Sequence, residues 1–220
     1  MVFVPRGTFN MGDFYEHQDQ DALPVHTVTM PDFYLSKYEI TYAQYDRFAM
    51  LKGYPLPEDD NHSRGDRAVV NITWDEAKAF CECYGYRLPT EREWEYAARS
   101  GGKEELFPGT NDLQEVDDYV RSAYNSLNYS FYVGFKKPNA LGLYDMGGNV
   151  FEWIGDFYAK YPEDGSEPEW TDLKTTKVRI IRGGSFKTPV HYTYTRTATY
   201  RDFPSPTVGF RCVKPVTIKE

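Results

Sequence analysis

The chain has 220 residues and a formal charge of −8, with 26% of its residues charged. At about 100–200 residues per domain, that length supports one large domain or two small ones, and a chain this long needs no staples to fold. The acidic balance argues against a nucleic-acid or anionic-membrane partner; a mean hydropathy of −0.65 without a long apolar run argues against a membrane span; three cysteines exclude a disulfide-dense scaffold and a four-thiolate zinc site.

Nothing at Met1 reads as a basic segment followed by an apolar one, so no signal peptide is expected. Val2–Val4, Pro5-Arg6-Gly7 and Thr8–Met11 read as a short hairpin with a Pro/Gly turn. Val25–Met30 and Phe33–Ser36 read as strands broken by Pro31-Asp32. Three helix starts follow, Thr41…Gln44, Thr73…Glu76 and Thr90…Glu93. In each, a threonine and an acidic or amide side chain three residues on can satisfy each other's free N–H groups. Gly53, Gly85 and Gly101 mark the stops, where the chain turns left-handed after the last turn. Trp74, Ala77, Phe80, Cys81 and Tyr84 share one face of the second helix; Trp94, Ala97 and Ala98 do so in the third.

Residues 103–177 are rich in Gly, Pro, Asn, Asp and Tyr and poor in periodicity. Only Ser122–Tyr124, Phe131–Val133 and Val150–Ile154 have strand-like or buried character there. So much irregular chain inside a compact domain points to ordered functional loops or bound ions. Strands return at Val178–Arg182, His191–Tyr200 and Val208–Val213. The middle one alternates, with His191, Thr193, Thr195, Thr197 and Thr199 on one face and Tyr192, Tyr194, Arg196, Ala198 and Tyr200 on the other. An ordinary two-faced strand, with Tyr inward and Thr outward, and a ligand-contacting strand both fit that pattern. No linker divides the chain, so residues 1–220 read as one α+β domain with scarce regular structure.

Several segments together resemble one family. They are Gly7-Thr8-Phe9-Asn10-Met11-Gly12, Phe33-Tyr34-Leu35 with Lys37-Tyr38-Glu39-Ile40-Thr41, and Arg87-Leu88-Pro89-Thr90-Glu91-Arg92-Glu93-Trp94-Glu95-Tyr96-Ala97-Ala98-Arg99. Pro138-Asn139-Ala140-Leu141-Gly142-Leu143-Tyr144-Asp145-Met146, Gly148-Asn149-Val150-Phe151-Glu152-Trp153, Arg182-Gly183-Gly184-Ser185 and Gly209-Phe210-Arg211-Cys212 complete the set. In this order they resemble the formylglycine-generating enzyme, or sulfatase-modifying factor, family along nearly the whole chain. The resemblance implies a variant of the C-type-lectin-like fold with little regular secondary structure.

It also implies a chemistry. Enzymes of the family oxidise a sulfatase cysteine to Cα-formylglycine with O2 and a Cu(I) ion held by two cysteines, and a soft ion of this kind requires thiolates. The family's cysteines match Thr188 and Thr193 here. A hydroxyl neither binds Cu(I) usefully nor does thiol redox chemistry, so copper is not expected. The family's structural bridge matches Cys81 and Cys212, leaving Cys83 free, and a second family bridge matches Ala98 and Ala198. A Cys81–Cys212 disulfide favours an exported, periplasmic or extracellular setting; three buried thiols in a reducing cell are the alternative.

By the same match, Ser185, Thr188, Tyr192, Thr193 and Arg201 line the substrate groove, where a guanidinium can grip a carboxylate or carbonyl bidentately. The match also implies a structural calcium ion held by the side chains of Asp145 and Glu152 and the carbonyls of Gly148 and Val150, in keeping with that ion's need for six to eight hard oxygens. From the residues alone, a structural turn capped by Asp145, with Glu152 in a hydrogen bond or salt bridge, is the better reading, and calcium is favoured only with the family match. Arg64-Gly65-Asp66, the acidic run Glu58-Asp59-Asp60 and the four histidines carry no such pattern. Two functions follow. One is a non-catalytic binding or accessory module whose Tyr/Thr-lined groove takes a peptide, protein or other ligand. The other is a sulfatase-modifying or related protein-maturation oxidoreductase with a non-standard site.

Overall fold

A computed structural model describes residues 1–15, 19–59, 61–162 and 177–216; His17 and Asp60 lie outside the described residues. The first four strands are β1 (Val2–Val4), β2 (Gly7–Met11), β3 (His26–Met30) and β4 (Phe33–Leu35). They do not form the hairpin read from the sequence. Instead β1 pairs with β4 and β2 with β3, all antiparallel, with Val4 opposite Phe33 and Gly7 opposite Met30. Pro5-Arg6 therefore faces Pro31-Asp32 across a break in one long ribbon. Neither proline has an N–H for the ladder, and Arg6 N donates instead to the Asp32 carboxylate at 2.6 Å.

The helices are α1 (Tyr42–Lys52), α2 (Trp74–Cys83), α3 (Glu91–Ala98) and the four-residue α4 (Val116–Tyr119). The first three start with the reciprocal caps expected at Thr41, Thr73 and Thr90. Gly53 ends α1 in the left-handed conformation, φ 74°. No helix among the described residues is long and apolar enough to cross a membrane.

The remaining strands are β5 (Phe151–Phe157), β6 (Val178–Arg182), β7 (Thr197–Tyr200), β8 (Val208–Gly209) and β9 (Val213–Pro215). Four make a sheet in the order β7-β6-β5-β8, with β8 parallel to β5, while β9 adds to β4 in a three-stranded sheet β1-β4-β9. The strand expected over Val208–Val213 is thus split, because the chain leaves one sheet and enters another across Phe210-Arg211-Cys212. Ser122–Tyr124 and Phe131–Val133 form no strands; Arg121 and Tyr132 make single bridges to Gly148 and Arg67.

Two large cores result. One packs Tyr45 and Phe48 of α1 and Phe80 of α2 with Trp153 and Phe210. The other packs Trp94, Ala97 and Ala98 of α3 against the ribbon and against Ile154 and Ile180. Cys81 of α2 and Cys212 form a disulfide, with Cα atoms 5.7 Å apart, and Cys83 is free. The bridge closes a sequence separation of 131 residues, for which chain entropy gives about 5 kcal/mol as an upper value. Substituting Ser at both Cys81 and Cys212 is expected to lower stability by about 4–5 kcal/mol, read from chemical denaturation against the oxidised wild type.

Candidate functional site: the turn after strand β6

Strand β6 ends in Arg182, and Gly183-Gly184 turns the chain back on itself with φ 95° and 79°. A Cβ on Gly184 would stand 3.1 Å from His191 Cγ and 3.2 Å from Thr188 Oγ1, so a side chain there would crowd both. Within the turn Ser185 N donates to Thr188 Oγ1 at 2.9 Å, and Thr188 Oγ1 donates to Ser185 O at 3.2 Å. The Thr188 hydroxyl is a cap for its own turn. The segment after Arg121 runs alongside: Ala123 N donates to Thr188 O at 2.9 Å, and Ser126 Oγ to Phe186 O at 2.8 Å.

Thr193 is fully inside. Its hydroxyl donates to Glu105 O at 2.7 Å and its N–H to Leu106 O at 2.9 Å. Tyr192 stacks on Tyr194 at 5.2 Å and lies 5.4 Å from the Phe107 ring. The strand expected over His191–Tyr200 is therefore only Thr197–Tyr200. Residues 191–196 are diverted because Arg182 takes the carbonyls of Thr193 at 2.9 Å and Tyr194 at 3.0 Å. The expected facing of the strand fails as well: Thr193 and Tyr194 are both buried, while Tyr200 is exposed.

The structure brings Ser185 and Thr188 into one turn and sets Tyr192 and Thr193 on the loop at 105–107. Ser185 and Thr193 are buried; Thr188 and Tyr192 are half-buried. Arg201 shares no contact with these four. It pairs with Asp75 at the start of α2, and its guanidinium lies 5.0 Å from the Trp74 ring.

What positions the turn is a buried charge network that sequence reasoning missed. Glu95 of α3 meets Arg182 at 2.5 Å, Arg99 at 2.6 Å and the Gly12 N–H at 2.9 Å. Glu91 takes Arg196 at 2.7 and 2.9 Å and Arg182 at 3.3 Å. All five side chains are at most 5% exposed. The signal was available: Glu91, Glu95 and Ala98 share the helix face that also carries Trp94. Beside them, half-buried Asp156 accepts the Glu91 N–H, and desolvation pushes its carboxyl up to about 6.

The segment expected to hold calcium is also well packed. Asp145 has φ 56° and its Oδ2 accepts the Gly134 N–H at 2.6 Å. Burial raises its pKa to about 6. Glu152 accepts two bonds from Arg211, both 2.7 Å, and one from Trp94 Nε1 at 2.8 Å. That is the salt-bridge arrangement. Glu39, not singled out from the sequence, adds a third carboxylate, holding Asn149 Nδ2 at 2.6 Å and Val150 N at 3.2 Å; desolvation and its acidic neighbours raise its pKa well above the usual range. Asp145 Oδ1 and the carbonyls of Gly148 and Val150 accept no hydrogen bond among the described residues. Three free oxygens fall short of a calcium shell. With Glu152 held by Arg211, the donor set as arranged does not fit the ion. Among the described residues no three His, Cys, Asp or Glu side chains converge on a metal position.

Residues 1–216 match the family model of the sulfatase-modifying factor enzyme 1-like domain. The formylglycine-generating enzyme of Mus musculus is 28% identical over 278 aligned residues, covering 96% of this chain and 74% of that protein. The Bos taurus protein called inactive C-alpha-formylglycine-generating enzyme 2 is 32% identical, covering 96% and 87%. Among solved structures, PvdO from Pseudomonas aeruginosa superimposes with a TM-score of 0.84 and 26% identity, covering 98% of this chain and 94% of that one.

Arg182→Met is expected to cost about 3–5 kcal/mol in chemical denaturation, because it leaves buried carboxylates short of a partner, and to speed amide exchange over 191–196. Asp156→Asn tests the raised carboxyl. A raised folded-state pKa stabilises at low pH and loses that contribution as pH rises through it. The variant should therefore gain stability relative to the wild type as pH rises from about 4 to about 6, read as the difference between their unfolding midpoints.

Proposed function

The chain belongs to the sulfatase-modifying factor enzyme 1-like domain family, and we propose that it is a member without copper–cysteine oxidase activity that serves as a binding or accessory module. One observation carries the reading. The hydroxyls of Thr188 and Thr193, which by the family resemblance take the places of the copper-binding cysteines, are each spent on a backbone carbonyl. No thiol is left at the turn to hold a soft metal or to enter redox exchange. Cys83 sits on α2, away from it.

The proposed ligand surface is the turn at Thr188 together with Tyr192 and the neighbouring segment 122–126, where Tyr124 is 75% exposed. Tyrosine offers a large contact area at low entropy cost, which suits recognition of a peptide or protein. Ser185 and Thr193 support that surface from beneath, and Arg201 acts elsewhere. The resemblance between the chain and a relative called inactive supports the same reading. The Cys81–Cys212 bridge suits an oxidising compartment.

The calcium ion that the resemblance implies is not part of this proposal, because holding it would require Glu152 to leave the buried Arg211 guanidinium. Thermal unfolding with added Ca2+ and with chelator tests this: equal midpoints are expected, and a higher midpoint with calcium, abolished in Asp145→Asn, would bring the ion back. The functional reading is tested by incubating the protein with Cu(I), O2 and a cysteine-containing sulfatase peptide. An unchanged peptide mass is expected. Formylglycine in the product would overturn the proposal and establish an oxidase with a different site.

A further inference from the structure

A cleft of about 520 Å3 opens on another part of the molecule, between α1, the end of α2 and residues 36–40, and shares no residue with the turn at Thr188. Its size lies in the range of small-molecule sites. Its apolar lining includes Ile40, Phe80, Val133 and the disulfide at Cys212, and Tyr38, Tyr84 and Tyr86 add aromatic surface.

The polar groups that face it have a consistent character. Glu39 lines the cleft, but both its oxygens are engaged by Asn149 and Val150. The Ser36 hydroxyl is used on Cys212, donating to its carbonyl at 3.1 Å. Gln44 gives its Oε1 to the Thr41 N–H, which leaves the amide NH2 without a described partner. Arg47 is exposed and makes no ion pair or hydrogen bond among the described residues; Lys37 has only the faces of Tyr38 and Tyr144, each at 5.3 Å. An adjoining hollow of about 440 Å3 shares Tyr38, Gln44 and Arg47 and brings in Asp66, whose carboxylate does not reach Arg47. On a chain of net charge −8, this apolar cleft thus carries two cations without an ion pair and an amide donor without a partner among the described residues, and its carboxylate is already committed.

We propose that the cleft binds a small aromatic carboxylate, its ring against the tyrosines and its anionic head on Arg47 and Lys37. Hydrogen bonds to a charged head are about twice as strong as neutral ones, and aromatic walls reward a planar body. The inference does not rest on the binding role proposed for the turn at Thr188, and a different set of variants tests it.

The probe is 2-naphthoate, titrated at low salt by calorimetry and by amide chemical shifts. Saturable binding with a dissociation constant below about 1 mM is expected, with shifts centred on residues 36–47 and 80–86. Arg47→Gln, Lys37→Gln and replacement of the probe by neutral 2-naphthamide should each weaken binding roughly tenfold. Both side chains are exposed, so these variants leave the core intact. Lys103→Gln, which removes an exposed cation outside the cleft, should leave the affinity unchanged. No saturable binding, equal affinity for the amide, tighter binding of octanoate than of naphthoate, or shifts centred elsewhere would overturn the proposal.

Discussion

The architecture depends on two carboxylates buried on one short helix. Glu91 and Glu95 lie on the inward face of α3, where a helix of this size would ordinarily present only apolar residues. Each is answered by guanidinium groups, Arg182 from β6 and Arg196 from the loop after it, both distant in the chain, and Arg99 from the helix's own end. The arginines in turn carry backbone: Arg99 holds the carbonyls of Asn10 and Gly12, and Arg182 those of Thr193 and Tyr194. An irregular chain has many carbonyls that no ladder satisfies. Guanidinium groups with five fixed donors satisfy several of them at once, which is how a domain with so little regular structure keeps its loops in place.

A second buried pair works by the same logic. Arg211 lies between β8 and β9, fully buried, and meets both oxygens of Glu152 while donating to the carbonyls of Ser36 and Tyr144. It is the pivot at which the chain passes from the four-stranded to the three-stranded sheet, with the disulfide cysteine as the next residue. Buried ion pairs of this kind add little net stability compared with apolar packing, but removing one member is costly. They specify which parts meet more than they tighten the meeting.

Much of this scaffold was legible in the sequence and some was not. The three capped helix starts were, because a threonine with Gln44, Glu76 or Glu93 three residues on is a local arrangement that needs no tertiary partner. The family segments carried the disulfide and the location of the turn at Thr188. The failures have physical causes. Val2–Met11 has the composition of a hairpin, but the two prolines break a longer ribbon instead. His191–Tyr200 alternates like a strand, yet its first half gives its carbonyls to Arg182 rather than to a ladder. Arg201 sits where a groove residue was expected but is claimed by Asp75, an exposed pairing that no local pattern announces.

The network also shows why the shape of the turn does not depend on thiols. The turn at Thr188 and Thr193 is held from behind, by Arg182, by Glu105 O and by the glycines that let it fold back. None of these contacts involves a thiol. The hydroxyls of Thr188 and Thr193 each donate to a local carbonyl, so the turn is satisfied without sulfur. Scaffold and surface are separable because the charges that organise the scaffold lie inside it, and the site that faces solvent contributes no member to them.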